Sequence, residues 1–122
     1  MCRGDLLGAF RVAFAGLGYA LRTQCNLRIQ LVVTGIILVL GLWLGLPADQ
    51  WAVLALTSGL VLLAELVNTV VEKLVDLVCP DYDPLAKVVK DVMAGAVVLA
   101  CIVAIIVGLL VLGPPLWSRL VS

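Results

Sequence analysis

Histidine is absent from the 122-residue chain, so the commonest metal ligand and the usual proton acceptor near pH 7 are missing. Charge is scarce: only 13% of residues are Asp, Glu, Lys or Arg, against about 25% in a soluble domain. Eight basic and eight acidic residues cancel to a formal net charge of zero, which excludes the basic footprint of a nucleic-acid binder. Neither the phosphate-cradling GxxxxGK[ST] loop nor the kinase Gly-rich loop occurs. The four cysteines, Cys2, Cys25, Cys79 and Cys101, follow no zinc, haem or redox spacing and read as buried structural thiols. The segment Met1-Cys2-Arg3-Gly4-Asp5 lacks the charged region, apolar run and cleavage site of a signal peptide.

Apolar residues fill the space left by charge. They make up 64% of the chain, and the mean hydropathy is +1.23. A chain this short cannot bury so much apolar surface in water, so the bilayer is its solvent. One span needs about 20 apolar residues. The chain therefore holds three spans and one short extra element in a single membrane domain, residues 1–122, with no room for a soluble one.

Leu6, Phe10, Ala13, Phe14, Leu17 and Leu21 recur at helical spacing with Arg3, Arg11 and Arg22 among them, predicting an amphipathic helix over about 5–24 that lies on the membrane surface. Spans are expected over about 28–47, 51–78 and 86–113, the last ending at Gly113-Pro114-Pro115. Gly41 and Gly45 in the first span form a small-xxx-small pair that admits a neighbouring helix. Ala96, Ala100, Ala104 and Gly108 form a similar ladder in the third. Trp43 and Trp51 flank the short turn at 47–50, where an aromatic belt is expected. With alternating spans, Arg3, Arg11, Arg22, Arg28, Lys73, Lys87 and Lys90 fall on one side and Arg119 alone on the other. The positive-inside rule makes the richer side cytoplasmic.

The second span ends in a row of polar groups. Glu65, Asn68, Glu72 and Asp76 are spaced by three, four and four, which places them on one helical stripe roughly 80° wide. Leu66, Val67, Val70, Val71 and Leu74 occupy the other face. Three readings compete. The groups could act as helix–helix glue, although like charges on one stripe repel unless a cation lies between them. They could line an ion or proton path, although Val53 to Leu63 continues it only with Thr57 and Ser58, and the third span adds nothing polar from Val92 to Leu112. Or they could hold a divalent cation with phosphate, since Mg²⁺ takes carboxylate oxygens and substrate phosphates, and Lys87, Lys90 and Asp91 re-enter the membrane at the same level. Phosphoryl transfer asks little covalent chemistry of a protein: a metal, positioning and a base suffice.

The run from Ala64 to Asp76, containing E-x-x-N-T-x-x-E-x-x-x-D, and the run from Tyr82 to Ala96, containing K-D-x-x-A-G-A, closely resemble the signature of the prokaryotic diacylglycerol kinases, a family that includes the undecaprenol kinases. The resemblance covers essentially the whole chain. It implies an all-α membrane protein with an N-terminal surface helix and three transmembrane helices. Such a protein assembles as a homotrimer in the bacterial inner membrane, with active sites between subunits that face the cytoplasm. It further implies transfer of the γ-phosphate of Mg-ATP to a lipid hydroxyl, with Mg²⁺ as cofactor and either diacylglycerol or undecaprenol as acceptor. The stretches 26–30 and 65–69 are nearer to the Gram-positive-like branch, in which undecaprenol is frequent.

By the same resemblance Glu65 is the catalytic base, with Asn68 and Asp76 as supporting polar residues. Glu72 binds metal and nucleotide, and Lys90 and Asp91 bind nucleotide. Asp81, Tyr82 and Asp83 form a loop that touches the nucleotide, although many relatives carry His where Asp83 stands. Gln24 occupies the place of a metal-holding Glu. Its amide can donate an oxygen but no charge, which implies a weaker metal site. The alternative is a non-enzymatic membrane protein, either a minimal ion or proton conductor or a family member that has lost catalysis.

Overall fold

A bilayer offers no water to satisfy backbone N–H and C=O groups, so apolar stretches that enter it must pair those groups internally. The computed structural model, which describes residues 5–121, resolves these stretches into four helices. They are α1 (Leu6–Thr23), α2 (Cys25–Leu44), α3 (Ala48–Val78) and α4 (Pro84–Val121). No strand occurs among the described residues. The last three helices are long and apolar enough to cross a membrane, and α1 covers the segment expected to form the N-terminal helix. The first span begins three residues earlier than expected, at Cys25.

α3 and α4 make the most extensive pairing, with α2 against α3 and α1 against the start of α2. Large apolar side chains such as Val39, Leu56, Leu99 and Leu110 stand exposed, the arrangement expected of helices whose outer faces meet lipid. Gln30 and Thr34, two polar residues within α2, are satisfied within the bundle. The Gln30 amide donates to Cys101 Sγ of α4 at 3.6 Å, and the Thr34 hydroxyl to the Gln30 carbonyl at 2.8 Å.

At the α2–α3 turn the bundle is closed by packing. Leu44, Leu46 and Leu54 form a buried cluster joined by Trp51, Leu112 and Leu116, and the Arg119 guanidinium lies 4.9 Å from the centre of the Trp43 ring. Gly41 leaves no room for a side chain unless Trp51 shifts, because a Cβ there would lie 2.6 Å from Trp51 Cη2. Gly45 ends α2 in the left-handed region at φ 68°, a conformation that favours glycine.

These contacts revise three expectations. Within the chain the Gly41/Gly45 pair admits an indole ring and ends a helix, and does not bring two backbones together. α4 does not stop at Gly113 but runs through Pro114 and Pro115 to Val121. The prolines forfeit two helical hydrogen bonds but hold a helical φ, and the continuation brings Leu116 onto the buried cluster. The cysteines are not buried: Cys25 is exposed, and Cys79 and Cys101 are half-buried free thiols, because a lipid-facing helix shields few of its positions. Cys2 and Arg3 lie outside the described residues.

Candidate active site

The helical period of α3 does bring the polar row onto one stripe, and the structure grades it by depth. Glu65 is buried, at 5% exposure, as is its neighbour Thr69 at 7%. Asn68 and Glu72 are half-buried, and the Asp76 side chain is 60% exposed. Glu65 and Asp76 are eleven residues apart, so the stripe runs roughly 16 Å along the axis, from the bundle interior to its surface.

Near the interior, the Thr69 hydroxyl donates to the Glu65 carbonyl at 3.0 Å. No described group hydrogen-bonds the Glu65 carboxylate. Yet among the described residues no sealed side-chain oxygen lacks a partner, so those oxygens keep access to the outside of the chain. In the middle of the stripe, the Asn68 amide donates to Glu72 Oε1 at 3.4 Å. The two face one another as the sequence spacing predicts.

At the surface, α3, the 79–83 loop and the start of α4 border an open recess of about 360 Å³. Asp76, Asp81, Tyr82, Asp83 and Lys90, all expected at the site, line it together with Lys87. Lys90 Nζ reaches Asp76 Oδ1 at 2.7 Å, tying the end of α3 to the start of α4. Asp83 has a second task that its expected role did not include. Its carboxylate accepts the N–H groups of Leu85 at 2.8 Å and Ala86 at 3.4 Å, capping α4 just ahead of Pro84. Cys79 Sγ donates to the Asp81 carbonyl at 3.4 Å. Asp91 is held on α4 by Lys87 at 2.6 Å.

Gln24 forms the corner between α1 and α2, with extended backbone at φ −111°, ψ 108°. No described hydrogen bond links its side chain to the stripe. The residue that holds this corner is Arg28, which the sequence marks only as a basic group on the richer side. Its Nη1 donates to the carbonyls of Leu21 at 3.1 Å and Arg22 at 3.0 Å, satisfying the open C-terminal end of α1. The available signal was a basic residue just beyond a helix end. Between α1 and α3 runs an apolar cleft of about 550 Å³, lined by Ala13, Leu17, Ala20, Leu66, Thr69 and Val70 among others.

Among the described residues no three Asp, Glu, Cys or His side chains converge on one point. Mg²⁺ keeps its waters and is commonly held by one or two carboxylates plus substrate phosphates. Glu72 beside the Asn68 amide fits that sparse donor set, whereas a dedicated all-protein cage does not fit.

The sequence model of the family "Prokaryotic diacylglycerol kinase" matches residues 11–112. The chain belongs to the prokaryotic diacylglycerol kinase family. Among its relatives in that family, a diacylglycerol kinase of Synechocystis is 49% identical over 118 residues, covering 96% of this chain and 67% of the relative. The undecaprenol kinase of Bacillus subtilis is 33% identical over 108 residues, covering 88% of each chain. The diacylglycerol kinase of Escherichia coli is 28% identical over 114 residues, covering 93% of this chain and 90% of the relative. The matched region takes in the whole α3 stripe, the loop and most of α4, so family membership and the site rest on the same residues.

Proposed function

We propose that this membrane lipid kinase transfers the terminal phosphate of Mg-ATP to the hydroxyl of diacylglycerol or undecaprenol, with its site on the cytoplasmic face of the bacterial inner membrane. The observation that carries the reading is the depth gradient along α3. A buried carboxylate at Glu65 and the recess at Asp76, which Lys90 of α4 also lines, mark the two ends of one α3 stripe. A lipid hydroxyl reaches the first from the membrane, and a nucleotide reaches the second from water. The apolar cleft between α1 and α3 is lined by Leu66, Thr69 and Val70 of α3, the residues next to Glu65 along the helix, which supports entry of the acceptor along that side.

In this reading Glu65 is the general base, working where water is scarce. The acceptor O–H gives its proton to the Glu65 carboxylate. Its oxygen bonds to the terminal phosphorus as the bond to the β–γ bridging oxygen breaks, and the nucleoside diphosphate leaves. Glu72 with Asn68 would hold Mg²⁺, which when bound neutralises phosphate charge. Lys90 binds phosphate, Asp76 orients Lys90, and Asp81, Tyr82 and Asp83 border the nucleotide. The homotrimer that the family resemblance implies would let a neighbouring copy add donors to the Glu72 site. The ion-conductor alternative finds little support: the Thr57 hydroxyl, its one continuation above Glu65 besides Ser58, is turned back onto the Val53 carbonyl at 2.7 Å.

The name of the Synechocystis relative supports diacylglycerol as acceptor, and that of the B. subtilis relative supports undecaprenol. Purified protein in lipid nanodiscs, given Mg-ATP and each lipid alcohol in turn, tests both points. Transfer to one of them is expected, and no transfer to either sinks the proposal.

A further inference from the structure

The start of α4 breaks a local rule. A helix N-terminus carries partial positive charge and favours acidic side chains. Yet beyond the Asp83 cap the first turn of α4 holds no acid, and Lys87 and Lys90 follow at once. Three residues apart, they lie on one face of the helix, where like charges repel. A preference broken without a packing gain is a mark of function. Each lysine has its own carboxylate, Lys90 on Asp76 and Lys87 on Asp91. The Lys87–Asp91 pair is 61% and 62% exposed, so it adds little stability. Lys87 and Lys90 line the same recess, and Asp91 is not among the residues that line it.

We propose that Lys87 is a second polyphosphate contact beside Lys90, and that Asp91 holds Lys87 in place. The proposal rests on the kinase reading above. An ammonium group carries three N–H donors. Lys87 can keep one on Asp91 and turn the others to phosphate oxygens, while the repulsion between the two lysines is relieved by the anion between them. Asp91 is thus a positioning residue, and Lys87 adds to the set of nucleotide-binding groups.

The test uses the full chain in lipid nanodiscs, with Mg-ATP titrated at saturating lipid acceptor and inorganic tripolyphosphate and Mg-ADP as competing probes. Lys87→Met is expected to raise the KM for Mg-ATP and the inhibition constants of both probes about tenfold, the loss of one charge-assisted contact. The KM for the lipid and the melting temperature stay as in the wild type, and Lys87→Arg recovers most of the loss. Asp91→Asn shifts the same constants in the same direction by a smaller factor and adds nothing in the Lys87→Met background. A Lys87→Met enzyme whose ATP and tripolyphosphate constants stay within twofold of wild type overturns the proposal, as does a rise confined to the lipid KM. A further tenfold loss on adding Asp91→Asn to Lys87→Met overturns the positioning role. If the wild type itself binds neither probe, the kinase reading falls as well, which separates the two failures.

Discussion

The two ends of the bundle are built on opposite principles. At the tryptophan end, where α2 turns into α3, Leu44, Leu46 and Leu54 are buried, Trp51 fills the space left by Gly41, and Leu116 closes the cluster from α4. At the polar end α3 and α4 are joined by a short loop, a cap at Asp83 and ion pairs whose side chains stand 40–62% exposed. Close packing of side chains is what holds helices together in lipid, whereas exposed ion pairs contribute close to nothing. The stability of the transmembrane hairpin therefore sits at one end and its chemistry at the other. The polar end can keep unpaired or loosely paired charge because the tryptophan end holds the helices together.

That division is most sharply tested at Glu65. Glu65→Gln keeps shape and removes the proton acceptor, so phosphoryl transfer should fall by roughly 10²–10⁴-fold with the melting temperature in detergent unchanged. A parallel loss of stability would make Glu65 a packing residue and dissolve the contrast. The reverse experiment lies at the other end. Gly41→Val places a side chain where Trp51 Cη2 is 2.6 Å from an ideal Cβ, and it should cost about 1–3 kcal/mol through overpacking. Thermal unfolding measures that cost, and the activity of the surviving folded fraction should match the wild type.

The same contrast explains what was legible in the sequence. The four helices follow from hydropathy and period, and the α3 stripe from a spacing of three and four that any helix converts into one face. Residue chemistry and helix geometry suffice there. The continuation of α4 past Pro114-Pro115 was not legible, because the local cost of two prolines is outweighed only by where Leu116 lands, which is a tertiary fact. Nor was the exposure of Cys25 legible, since a thiol's usual burial assumes a water-soluble core. The Asp83 cap could have been read from an Asp directly before a Pro at a helix start. The family resemblance implies a nucleotide role for Asp83, and the structure adds the cap.

Asp83 offers a smaller effect that separates its two tasks. Asp83→Ala removes the acceptor for the Leu85 and Ala86 N–H groups and should cost about 1 kcal/mol of stability. Asp83→Asn and Asp83→Ser keep a capping oxygen and should restore the melting temperature. If the Asn and Ser variants regain stability but not the affinity for Mg-ATP, the carboxylate serves the recess as well as the helix. Recovery of both would leave Asp83 as a cap alone.

The smallest effect is expected at the α1–α2 corner, which belongs to neither end of the contrast. Arg28 ties α2 to the last carbonyls of α1 through two hydrogen bonds of 3.0–3.1 Å. Its side chain is exposed, so Arg28→Ala should lower stability by only about 0.3–1 kcal/mol, the range for a cation at a helix C-terminus. The consequence for the acceptor side should be larger than that figure suggests. α1 forms one wall of the cleft beside Thr69, and a freed corner lets that wall drift from α3. The expected result is a raised KM for the lipid with the KM for Mg-ATP unchanged, since the recess at Asp76 and Lys90 has no part in α1. Lysine at the same position can reach one carbonyl but not two in a fixed fork, so Arg28→Lys should fall between. A loss spread equally over both substrates would show that the corner at Gln24 supports the whole site and that α1 is more than the wall of a lipid cleft.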